Sequence, residues 1–172
     1  MSPLNPELLV SEIGEQQLLE RLHQYCPAQI IGDDAAVLPT RPDHLLVVTT
    51  DMLVDSVHFS VGLAKPDIYT TSPTDAGWRA AAANLSDLAA MGATPLGITV
   101  GLGLPPTTPV RWVEELYEGM TDCLNRYQTP ILGGDLCRSP ILTLSITAIG
   151  EVLPARQIVR SSAQVGDVIV VT

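Results

Sequence analysis

A two-layer α+β domain is expected from three features of this 172-residue sequence. Leu142, Leu144, Ile146 and Ala148 alternate with Thr143, Ser145 and Thr147, the pattern of a half-buried strand over Leu142–Gly150. Two long segments carry helix signals instead, one opened by Ser72-Pro73-Thr74-Asp75 and one by Thr108-Pro109. Helices alternate with single strands and hairpin-like pairs, with no fixed-period repeat, which favours helices packed on a sheet.

In chain order, residues 1–14 form a polar, proline-containing lead-in. A first helix is expected over Glu15–Tyr25, with Leu18, Leu19, Leu22 and Tyr25 on one side and Pro27 ending it. Gly32-Asp33 is turn chemistry, and the apolar flanks Ile30-Ile31 and Ala35–Leu38 read as short strands. Leu45–Val48 is a continuous apolar run, expected as a buried strand with Thr49-Thr50-Asp51 at its mouth. Asp55 and His58 follow, and residues 60–72 read as a loop. The next helix is capped by Ser72, takes Pro73 at its first position and Asp75 near its positive end, runs to about Met91, and is stopped by Gly92.

Leu96–Leu104 sets Leu96, Ile98, Val100, Leu102 and Leu104 against Gly97, Thr99, Gly101 and Gly103. It is a strand whose second face is nearly bare, so another backbone or helix can approach it. Pro109–Arg126 is a helix with Val113, Leu116, Met120 and Leu124 as its core stripe, from which Tyr117 could reach outwards. Pro130–Leu132 is a short strand running into Gly133-Gly134-Asp135. After Leu142–Gly150 comes a polar connection with Arg156 and Arg160, then a last strand, Asp167–Thr172. Residues 1–150 are expected to form one domain, and 151–172 a connection with the first strand of another.

Composition narrows the partners. Nine Lys plus Arg face 19 Asp plus Glu, a formal charge of −10, and Lys65 is the only lysine. That balance disfavours nucleic acid or an anionic membrane and suits cations such as Mg²⁺, which in turn hold phosphates. Hydrophobic content of 46% against 16% charged hints at a buried interface. No apolar run approaches the roughly 20 residues of a membrane span, and the N-terminus lacks a secretion signature. Cys26, Cys123 and Cys137 share no zinc-like spacing and read as free thiols in a reducing cytoplasm.

The candidate chemistry lies in isolated acids: Asp33, Asp34, Asp51, Asp87 and Asp135. Four of these five are expected where a strand gives way to a turn, a place where active sites collect. Asp87 sits in the apolar stretch Ala80–Gly97; on a helix its neighbours Ala83, Asn84, Ala90 and Met91 cannot neutralise it. Such a carboxylate either faces water, with Asn84 beside it, or is balanced from outside the helix. Gly133-Gly134 would let backbone N–H groups approach phosphate oxygens, and Arg160 could supply a positive fork. There is no G-x-x-x-x-G-K-[ST], H-R-D or D-F-G, so a nucleotide enzyme built this way must rely on metal ions.

Five segments, IGDDAAVL, VVTTDMLVDSVHF, WRAAAANLSDLAAMGATP, ILGGDLCRSP and ARQIVRSSAQVGD, follow one another from about Gly14 to the end of the chain. In these the sequence resembles the N-terminal half of the thiamine-monophosphate kinase family, within the superfamily of aminoimidazole ribonucleotide synthetase. The resemblance implies ATP-dependent phosphorylation of thiamine monophosphate to thiamine diphosphate, by direct in-line transfer without a protein nucleophile. It implies Mg²⁺ ligands at Asp34, Asp51, Asp87 and Asp135, with Thr49 and Thr50 adding oxygens beside Asp51. It places ATP at Gly134, Asp135, Arg160 and Tyr117, and the thiamine phosphate at His58, leaving Asp33 as a turn residue or a support. It also implies a homodimer whose N-terminal sheets join in a barrel-like interface. The family's chain continues into a second domain, so turnover is expected of the longer chain rather than of these residues alone. A sister enzyme with another acceptor and a non-catalytic dimerisation module remain the alternative readings.

Overall fold

The computed structural model describes residues 8–31, 35–62 and 70–170. Seven principal elements follow in order: α1 (Val10–Leu22), β1 (Leu45–Val54), α2 (Pro73–Ala90), β2 (Thr94–Leu104), α3 (Val110–Asn125), β3 (Ile131–Arg138) and β4 (Thr143–Val152). The strands form one sheet in the order β1-β4-β2-β3. The β1–β4 and β4–β2 pairs are antiparallel and the β2–β3 pair is parallel, so β1 and β3 are opposite edges. The expected α+β class stands.

One face of the sheet is covered. Ile98, Val100, Leu102, Leu144, Ile146 and Ala148 point into a core closed by Ala76, Ala80 and Leu88 of α2 and Val113, Leu116 and Met120 of α3, all at most 1% exposed. The two helices meet backbone to backbone. A Cβ on Gly77 would lie 2.0 Å from Leu116 O, and one on Gly119 2.0 Å from Thr74 O. Only glycine permits that approach. Ser72 caps α2 as expected, its Oγ accepting from Asp75 N at 3.0 Å, and Gly92 leaves the helix at φ 70°.

The other face carries no helix among the described residues. Leu46, Val48 and Met52 of β1 are 56–62% exposed. The apolar run Leu45–Val48 was expected to be buried, yet a continuous apolar strand stays dry only when both faces are covered. Here β1 is an edge strand with one covered face.

Other differences have local causes. α1 begins five residues earlier than the periodicity suggests and kinks at Gly14, at φ 75°. Its start is held by tertiary bonds, Val10 N donating to Thr108 O and Val110 N to Leu8 O. Ile30–Ile31 and Ala35–Leu38 are not strands, since no strand among the described residues offers them a ladder. β3 is longer than expected and passes straight through Gly133-Gly134-Asp135. β4 runs to Val152, two residues past the expected domain limit. Asp167–Val170 is irregular rather than a strand and is exposed throughout; nothing among the described residues pairs with it.

Candidate active site

Strand alternation divides the candidate residues between the two faces. Thr49, Asp51 and Leu53 share the helix-side face, their β4 partners being Ala148, Ile146 and Leu144. There β1 meets α2. Thr49 Oγ1 donates to Asp87 Oδ2 at 2.7 Å, and the Asp51 amide donates to Asn84 Oδ1 at 3.3 Å. Asn84 is fully buried and its Nδ2 donates to Ala80 O at 3.0 Å, so its amide is a fixed tether between helix and strand. Asp51 and Asp87 therefore belong to one corner of the molecule. Among the described residues neither forms an ion pair.

Thr50 corrects the expectation that both threonines stand beside Asp51. One residue along a strand reverses the side chain, and Thr50 Oγ1 lies 2.9 Å from Thr147 Oγ1 on the open face. Thr147 pairs in turn with Thr99 of β2 and Thr99 with Gly133 of β3, giving a row of hydroxyls across that face.

Asp135 is also apart from Asp51 and Asp87. It lies on β3, at the far edge of the sheet and exposed, paired with Gly101 on the open face. Three interstrand spacings of about 4.8 Å, roughly 14 Å, separate the two edges before the change of face is counted. The expectation that most of these acids stand where strands give way to turns is likewise corrected: Asp51 and Asp135 lie inside their strands. Asp33 and Asp34 lie outside the described residues.

A cavity of about 630 Å³ wraps the β3 edge. Its floor is Gly133, Gly134, Asp135, Thr99 and Thr147; its far wall is Leu22, His23, Cys26 and Tyr117. Tyr117 does not reach outwards: it is 5% exposed, with its ring centroid 5.5 Å from that of Tyr25. Burial, and secondarily the neighbouring Cys26, pushes the Tyr117 phenol far above its ordinary range. Burial and then Glu118 and Glu114 push Tyr25 up to about 12, and its hydroxyl donates to Glu114 O at 3.3 Å. Gly134 has a packing role in the strand, since a Cβ there would lie 1.9 Å from Val100 O. Gly133 supplies the positive φ, at 144°.

His58 stands on the turn after β1, exposed, with its Nδ1 3.1 Å from the Val54 amide. Arg160 is exposed in a short 3₁₀ turn, Arg160–Ser162, and does not line the cavity. Asn84 and Cys26 were not singled out from the sequence as site-building residues. The asparagine's signal was its i, i+3 spacing to Asp87 in NLSD; the cysteine carried none.

The donor set at the β1–α2 corner suits Mg²⁺: two carboxylates and a hydroxyl, all hard oxygens, with no ion-pair partner among the described residues. Among the described residues no three His, Cys, Asp or Glu side chains cluster. Mg²⁺ is commonly held by one or two carboxylates completed by water and phosphate oxygens.

Fold and site together define an α+β domain, rich in carboxylates and poor in lysine, that has no P-loop. The chain belongs to the family described as AIR synthase related protein, N-terminal domain, whose model matches residues 32–152. It is 53% identical to the thiamine-monophosphate kinase of Synechococcus elongatus over 163 residues, 95% of this chain and 48% of that protein. Among solved structures it is similar to the thiamine-monophosphate kinase of Stenotrophomonas maltophilia K279a, at 38% identity and a TM-score of 0.70, covering 88% of this chain and 45% of the other. It is also similar to AaThiL complexed with AMPPCP and TMP, at 30% identity and a TM-score of 0.66, covering 91% of this chain and 47% of that one. The chain thus spans about half the length of the relatives it matches.

Proposed function

We propose that this chain is the N-terminal half of a thiamine-monophosphate kinase, which moves the γ-phosphoryl group of ATP directly onto the phosphate of thiamine monophosphate. One observation carries the reading: Asp51 and Asp87 are drawn to one corner through Thr49 and Asn84, with no ion pair among the described residues, in a chain 53% identical to such a kinase. Asp51, Asp87 and Thr49 would hold Mg²⁺, joined by Asp34. When bound, the metal supplies charge neutralisation for the transferring phosphoryl group. Tyr117, Gly134 and Asp135 would receive the nucleotide in the cavity they line, which is of ordinary size for such a ligand. Arg160 would reach the phosphates, and His58 the acceptor.

The distance between the two acidic corners is accounted for by a homodimer. Leu46, Val48 and Met52 give the open face an apolar stripe that a second copy would cover, joining the two sheets in a barrel-like interface. Asp135 of one copy would then complete the Asp51–Asp87 corner of the other. Residues 153–170 are exposed throughout and lie beyond the matched family region, which suits a connection into a further domain. The free thiols Cys26, Cys123 and Cys137 suit a reducing cytoplasm.

The test is ADP release by the full-length protein. Release that requires both thiamine monophosphate and Mg²⁺, and is lost with a chelator, is expected. Absence of release dependent on thiamine monophosphate rejects the reading.

A further inference from the structure

The turn that carries His58 is pinned more firmly than an exposed loop requires. Asp55 N donates to Leu142 O at 3.0 Å, and the buried Asp55 carboxylate accepts from Val61 N at 3.0 Å. Phe59 and Val61 are buried beneath it, and Ser56 N donates to Phe59 O at 2.7 Å. His58 is held three times. Its N–H donates to Val54 O at 3.0 Å, its carbonyl accepts from Arg79 Nη1 at 2.6 Å, and its ring Nδ1 faces Val54 N–H at 3.1 Å.

An amide N–H can only donate, so the Nδ1 that meets it must be the unprotonated, accepting nitrogen. The proton of the neutral ring is then on Nε2. A doubly protonated ring would set its Nδ1–H against Val54 N–H, two donors face to face. His58 is exposed, and the remaining nitrogen, Nε2, makes no hydrogen bond among the described residues.

We infer that Arg79 is a positioning residue which, with the Val54 amide, fixes His58 as a neutral ring offering Nε2–H to an anionic oxygen of the acceptor substrate. This rests on the kinase reading above. It assigns His58 a directional hydrogen bond rather than a positive charge, leaving charge neutralisation to the metal corner. Arg79, on α2 eight residues before Asp87, ties the acceptor turn to the same helix that presents that carboxylate. The acceptor and the metal corner are thereby held on one rigid element.

Selective ¹⁵N labelling of histidine in the full-length protein tests the tautomer directly. The expected result is the Nε2–H form for His58 in the wild type and a tautomer mixture in Arg79→Ala. In kinetics, Arg79→Ala is expected to raise KM for the acceptor roughly tenfold, the weight of one charge-assisted hydrogen bond, with KM for ATP unchanged. Arg79→Lys, which can still donate to the carbonyl, restores part of the loss. His58→Asn keeps an acceptor for Val54 N–H but loses the distal donor, so the acceptor KM rises at an unchanged melting temperature. A wild-type Nδ1–H tautomer overturns the inference, as does an Arg79→Ala protein with wild-type tautomer and acceptor KM. If the wild type shows no acceptor-dependent turnover, the kinase reading fails while the tautomer measurement still decides the Arg79 clamp.

Discussion

Asp51 and Asp135 are given the same task in the proposed reaction, yet the fold treats them in opposite ways. Asp51 sits where β1 touches α2, its amide tied to buried Asn84 and its neighbour Thr49 bonded to Asp87. Asp135 stands exposed on the opposite edge strand, flanked by Gly134 and facing an open cavity. The first corner is drawn together by bonds within one chain, whereas Asp135 faces open space. The difference suggests where an assembled site would form: across two copies. Asp51→Asn and Asp135→Asn in the full-length protein are each expected to lower turnover on the order of a hundredfold or more, since each removes charge stabilisation from the transferring group. Co-assembling the two variants should then restore about a quarter of wild-type activity, because half the dimers are mixed and each mixed dimer has one intact site. Verified mixed dimers that recover nothing would confine each site to one chain and break the comparison.

The same contrast between covered and open faces extends to the glycines. On the covered side, a Cβ at Gly119 would meet the Thr74 backbone at 2.0 Å. Gly119→Ala should therefore cost about 1–3 kcal/mol in denaturant unfolding, as helix backbones cannot yield the way a side-chain tip does. On the open face, a Cβ at Gly101 would meet only Ser145 atoms at 3.7 Å. Gly101→Ala should leave the fold's stability within about 0.5 kcal/mol, and any effect should appear as weaker self-association by analytical ultracentrifugation. Equal costs at the two positions would mean that the open face is packed in the same manner as the covered one.

Much of this was legible in the sequence because it is local. The Ser72 cap, the Gly92 stop and the Leu142–Gly150 alternation are written within a few residues, and the structure follows each. Sheet order is not local. Nothing near Asp51 or Asp135 announces that they occupy opposite edges, nor that Thr49 and Thr50 part company across the sheet. Tyr117 read as outward because its own helix spacing ignores the turn that follows α1, whose Tyr25 packs against it. Glycine signals were ambiguous for a related reason. Gly134 looks like phosphate chemistry in a one-dimensional reading, yet the contact that demands it comes from Val100, thirty-four residues earlier.

A third acid sharpens the comparison from the open face itself. Glu151 is paired with Leu46 of β1 and, unlike Asp135, is buried there, at 3% exposed. Arg41 closes over it, donating from its guanidinium to one carboxylate oxygen and from its amide to the other at 3.1 Å. The side-chain hydrogen bond from Arg41, then its backbone N–H, holds the Glu151 carboxyl below its ordinary range against the opposing effect of burial. A depressed folded value means that the native state binds its proton later than the unfolded chain does. The stabilisation is therefore present above the unfolded pKa and is lost as pH falls through the folded one. Glu151→Gln is expected to lower the melting temperature by a few degrees at neutral pH, and the gap should close in the acid range where the wild-type carboxyl also becomes neutral. A gap that persists unchanged in acid would assign the effect to shape rather than charge, and the Arg41 closure would then be packing, no different in kind from the helix-covered side.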